Sequence, residues 1–107
     1  MATVDLSILT REGARVLIGH EKGLAARARL DLDALDGVAD EVTVVIPDHL
    51  RTLTPSFVQG LFAKSIHNLG EKGFFRHYKF RAAPSILNDI RAGVDRVLTS
   101  RHLGGFR

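Results

Sequence analysis

"EVTVVIPDHLRTLTPSFVQGLFAKSIHNLG", residues 41–70, holds a strand, a break and a helix in succession, and the helix decides how the rest of the chain assembles. The β-branched run over residues 41–47 has the make-up of a strand buried on both faces, and Pro47, which has no backbone donor, ends its pairing. Thr54 offers a hydroxyl to the unpaired N–H groups of a first helical turn, and Pro55 suits the next position, where no N–H is needed. Over residues 54–69, Phe57, Val58, Leu61, Phe62, Ser65, Ile66 and Leu69 form one broad stripe at helical spacing, the face expected to lie on a sheet. At about 100° per residue, Ser56, Gly60, Ala63 and His67 line up on the opposite side. An exposed glycine in a helix interior costs about 1 kcal/mol relative to alanine. A row of small residues there predicts a flank kept bare so that another backbone or a ligand can approach closely; the alternatives are neutral drift at an exposed site, or another element of the same domain covering the helix.

Working outward, residues 1–18 read as a strand or hairpin. "TVDLSIL" alternates, with Val4, Leu6 and Ile8 on one side; "TREG" offers a turn; "ARVLIG" supplies either a returning partner or an irregular lead into the next helix. Residues 21–35 change to helical spacing, with Leu24, Ala25, Ala28, Leu32 and Leu35 on one face, and "DGVAD" breaks the pattern. After the central helix, residues 74–81 alternate again as a strand, Phe74, Tyr78 and Phe80 facing one way and His77, Lys79 and Arg81 the other. Residues 84–99 form a last helix, with Ile86, Leu87, Ile90, Val94, Val97 and Leu98 at core spacing. Strands and helices interleave as β(β)αβαβα, which predicts an α/β fold: a mixed or mostly parallel sheet of four to five strands, flanked by helices, in one domain over residues 1–107.

The composition is that of a folded globular protein: 107 residues, 45% apolar and 25% charged. The absence of cysteine excludes disulfides and thiolate metal ligands and suits a reducing compartment. With no leader-like start and no long uncharged apolar run, the expected location is cytoplasmic. Charge is unevenly spread: residues 1–48 carry five Lys/Arg against nine Asp/Glu, residues 49–107 ten against three.

Signals for chemistry are few. His20, His49, His67, His77 and His102 lack the spacings of a zinc site, so no metal is expected. No GxGxxG, Walker or GxSxG motif occurs, so no cofactor is implied and no catalytic residue is named. Lys72, Gly73 and Phe74 match the opening of the aromatic RNA-binding strand, but Phe75, Arg76, His77 and Lys79 do not continue it. A nucleic-acid-binding reading through Lys72, Arg76, Lys79 and Arg81 is the alternative to protein docking. A homo-oligomer packed through the small-residue row is a third.

The segment from Val42 to Gly70, followed by "FFRHYKF" and the helix from Pro84, resembles the STAS-like domain family (DUF4325 type), related to anti-sigma-factor antagonists. The resemblance covers roughly residues 40–99. It implies a small STAS-like α/β sandwich that works by binding rather than catalysis. It also implies a protein partner of the histidine-kinase-like ATPase or anti-sigma kinase kind, with a Ser or Thr at the start of this helix as phosphosite. Here those positions are Thr54 and Ser56, with Pro55 between them, and Val58-Gln59-Gly60 stands where the family often has an acidic pair. Taken with the small-residue row, the resemblance makes Thr54, Ser56, Gly60, Ala63 and His67 the expected partner-binding residues.

Overall fold

The first strand, β1 (Ala2–Asp5), is stopped by its own last side chain: Asp5 Oδ1 accepts from the backbone N–H of Ser7 at 2.9 Å, a local bond that competes with ladder pairing. A 3-10 helix (Leu6–Thr10) follows, in which the Thr10 hydroxyl donates to the Ser7 carbonyl at 3.1 Å. Next come β2 (Val16–Leu17), α1 (His20–Leu30), α2 (Leu32–Asp36), β3 (Val42–Val45), β4 (Thr52–Leu53), α3 (Pro55–His77), β5 (Tyr78–Arg81) and α4 (Pro84–Gly104). The computed structural model describes residues 2–10 and 13–104, with side chains as far as Thr99. The predicted turn therefore lies partly outside the described residues, at Arg11 and Glu12.

The strands make two parallel sheets rather than one: a three-stranded sheet in the order β1-β3-β5 and a two-stranded ladder of β2 with β4. Val4, Val44 and Phe80 stand in register across the larger sheet, and Leu17 faces Leu53 in the smaller. Parallel pairing requires crossovers, and the helices provide them. The α/β class, the parallel strands and the flanking helices agree with the sequence reading. The hairpin does not, because β2 pairs with β4 and not with β1. Nor is β3 buried on both faces: Val42 and Val44 are buried, while Thr43 and Val45 are half-exposed.

Three boundaries also differ. The last helix, expected to end at residue 99, runs on to Gly104. The helix expected over residues 21–35 is split at Asp31, whose left-handed backbone (φ 56°) caps α1 and starts α2. The strand expected from residue 74 starts at Tyr78. Gly70, at φ 75°, ends one helical run, and residues 71–77 resume as helix in a new direction. Phe74 and Tyr78 share a side at either period, as neighbours in a strand or as an i, i+4 pair, so alternation alone could not separate the two.

The core is one cluster beneath α3. Phe57, Val58, Leu61, Phe62, Ser65 and Ile66 are all buried, as are Ile86, Ile90, Val94 and Val97 of α4. Phe62, Phe74 and Tyr78 pack ring against ring at 5.1–5.6 Å. No described helix is long and apolar enough to cross a membrane.

Candidate functional site

The N-terminal end of α3 is built as a joint between two helices. Thr54 caps α3 as its sequence predicts, its hydroxyl oxygen accepting from Phe57 N–H at 3.2 Å. The same oxygen accepts from Gly19 N–H at 3.2 Å, and Thr54 N–H donates to the Leu17 carbonyl at 3.0 Å. Gly19 is the residue before α1 and has φ 98°; α1 has no side-chain cap of its own. Thr54 thus holds both helix starts and is occupied in doing so. Ser56 Oγ lies 3.2 Å from Thr54 Oγ1, and its side chain is half-exposed.

Gly60 is not on open surface, which corrects the central expectation drawn from the sequence. It is buried, and α1 lies against it. A Cβ on Gly60 would collide with the His20 carbonyl oxygen and stand 2.9 Å from Leu24 N. The contact is reciprocal: a Cβ on Gly23 would strike the Phe57 carbonyl and stand 2.9 Å from Leu61 N. Two missing side chains let the helix backbones meet. The same contact explains why α1 buries Gly23, Ala26 and Arg27, and leaves Leu24, Ala25 and Ala28 exposed, contrary to the expected apolar face. Of the remaining row, Ala63 is half-buried and His67 exposed. Two apolar side chains that the row did not include are uncovered on the α1 side, Ile18 (54%) and Leu24 (49%).

Arg27, buried on α1, is fully engaged. Its guanidinium donates to the Leu61 carbonyl at 3.0 Å, Ser65 Oγ at 2.8 Å and Asp36 Oδ2 at 2.6 Å, and reaches the exposed Asp33 at 2.8 Å. Asp36 also accepts from Ser65 Oγ at 2.6 Å and from the Tyr78 hydroxyl. Burial, reinforced by the Asp36 carboxylate, pushes the Tyr78 phenol well above its ordinary value of 10. Among the described residues no buried side-chain nitrogen or oxygen lacks a partner. The network is a clamp joining α1, α2, α3 and β5. Sequence reading missed it because its members lie up to 51 positions apart, between Arg27 and Tyr78.

At the other end of α3, Lys72, Arg76 and Lys79 line one groove with Phe75 and Arg91; Arg81 does not line it. Of the histidines, His49 Nε2 lies 3.0 Å from Thr10 Oγ1 and His77 Nε2 2.7 Å from the Leu35 carbonyl, while His20 and His67 are exposed. Among the described residues no group of His, Asp and Glu is arranged to hold a metal ion. No protein-family model, curated protein or solved structure matches the chain.

Proposed function

We propose that the chain is a non-enzymatic, cytoplasmic regulatory module of the STAS-like kind, which docks a protein partner at the joined starts of α1 and α3. The reading is supported above all by one observation: Ser56, Ile18 and Leu24, a half-exposed serine and two exposed apolar side chains, belong to the two helix starts that Thr54 ties together. Apolar anchors beside a polar group are what a docking face needs. Gly60 enters this reading differently from the sequence expectation, drawing α1 onto α3 rather than touching a partner. Ser56, Ala63 and His67 remain as the contact strip on α3. Ser56 is the better phosphosite of the two, since the Thr54 oxygen already serves two backbone donors. A phosphate there would add about −1.5 to −2 charges to the joint that Thr54 forms between the two helix starts, a change large enough to switch docking.

The test is titration calorimetry of the purified chain against kinases of the histidine-kinase-like ATPase fold from the same organism. Ile18→Glu and Leu24→Glu, both at exposed positions, are expected to weaken binding at least tenfold with unfolding temperature unchanged. Ser56→Asp is expected to weaken it less. A wild-type chain that binds none of the kinases, or Ile18 and Leu24 variants that bind as well as wild type, would overturn the reading.

A further inference from the structure

Lys72 and Arg76, four residues apart on the last helical run of α3, project from one face, where like charges repel by a few tenths of a kcal/mol. Lys79 on β5 and Arg91 on α4 complete a groove of about 430 Å³. Its only carboxylate, Glu71, accepts from Arg91 at 2.6 Å. Among the described residues Lys72, Arg76 and Lys79 have no ion-pair partner. Arg76 is favourably placed in the last turn of α3, near the negative end of the helix dipole. That accounts for Arg76 but not for Lys72 or Lys79.

The groove has an apolar side as well. It adjoins a second of about 360 Å³, sharing Phe75, Lys79 and Arg91 as walls and adding Phe80, Leu87 and Ile90. Leu87 is 40% exposed although it sits at core spacing in α4. The Arg91 guanidinium lies over the Phe75 ring, 5.4 Å from its centre. An aromatic ring with an arginine above it offers the two kinds of surface on which unpaired bases stack. Cations at the rim with an aromatic and aliphatic floor match a ligand carrying regularly spaced phosphates and flat, weakly polar rings. A duplex buries its rings in its own stack and would leave the floor unused.

From this arrangement we infer that the groove between the end of α3, β5 and α4 binds single-stranded nucleic acid, with Lys72, Arg76 and Lys79 on phosphates and the Phe75–Arg91 platform beneath a base. This is independent of partner docking at the other end of α3.

Fluorescence anisotropy of labelled 12-nucleotide oligo-U and oligo-dT tests it. Three phosphate contacts on a single strand predict a slope of log K against log salt of about −2, hence roughly a twentyfold loss of affinity between 50 and 200 mM salt. Lys72→Ser with Lys79→Ser is expected to lower affinity at least tenfold and flatten the slope to about −0.7. Arg81→Ser, outside the groove, is expected to act less than threefold. Phe75→Leu is expected to weaken binding while keeping the slope, with circular dichroism melting confirming that it folds. The inference is overturned by absence of saturable binding to either oligonucleotide at 50 mM salt. It is equally overturned by a double variant that binds as wild type, or by polyglutamate of matched charge competing as well as unlabelled oligo-U, which would make this an acidic-peptide site.

Discussion

The two ends of α3 solve opposite problems. Near its start, α1 lies directly on it: Gly23 and Gly60 bring backbone to backbone, and one turn further along Arg27 reaches the Leu61 carbonyl, Ser65 and Asp36. Past Gly70, the helix and the strand that follows it instead carry long cations around open space, and Lys72, Arg76 and Lys79 have no ion-pair partner among the described residues. Glycine marks both places, for different reasons. Gly60 is a close approach between elements, whereas Gly70 is a change of direction that its positive φ permits. A small residue on a helix flank thus signals proximity to something, and here the neighbour is the chain itself.

The sharpest break of this contrast is at the clamp. Arg27→Met removes the positive partner of Asp36, whose side chain is only 9% exposed, and is expected to cost about 3–5 kcal/mol in urea unfolding. A loss below about 1 kcal/mol would mean that the clamp does not secure α1 to α3.

The same network sets an alkaline limit. Because burial raises the Tyr78 phenol in the folded state, the unfolded chain gives up that proton first as the pH rises through about 10. The stabilisation is therefore complete below that pH and is lost progressively above it. Urea unfolding from pH 8 to 11 should show this fall-off in wild type and a weaker one in Tyr78→Phe; parallel curves would remove Tyr78 as its source. On the acid side, Asp33 is held below its ordinary 3.8 by hydrogen bonds from Arg27 and Lys64, and Asp5 by the Ser7 N–H. Their contribution is present above about pH 3.8 and fades as the pH falls below it.

Gly60→Ala forces a methyl group into the backbone of α1 and should cost about 2 kcal/mol, despite the better helix propensity of alanine. That corresponds to a midpoint lowered by about 10 °C. Gly73→Ala is the converse. A Cβ there meets only Leu69 Cβ at 3.4 Å, so a gain of up to about 1 kcal/mol is expected. Equal responses at the two glycines would erase the distinction between a packed and an open end. The smallest effect belongs to the groove: Lys72→Ser should change stability by less than about 0.5 kcal/mol, since an exposed, unpaired cation contributes little to folding. A larger loss would show that the cation serves the fold.

How much of this was legible depended on how local the deciding forces are. The start of α3 was read from Thr54 and Pro55 because a cap involves only neighbouring residues, and the Thr54 bond to Phe57 N–H is found as expected. The buried stripes of α3 and α4 follow from helical spacing, except that Leu69 and Leu98 are only partly buried and Leu87 is exposed. The buried face of α1 was misread because its contact residues are a glycine, an alanine and an arginine, which hydropathy ranks below the exposed Leu24. The uncovered Ile18 could have been suspected from the apolar run at residues 16–18, too short to be buried whole in a two-residue strand.

By itself the sequence determined the α/β class, the cap and core face of the central helix, and the separation of acidic and basic halves, because periodicity, capping and charge are carried by residues close along the chain. The tertiary structure decided that β2 pairs with β4, that Gly60 meets Gly23, that Arg27 finds Asp36, Ser65 and Tyr78, and that Lys72, Arg76, Lys79 and Arg91 share a groove. Most of these join residues far apart in the chain, and their meeting is fixed only when helices and strands pack around a common core.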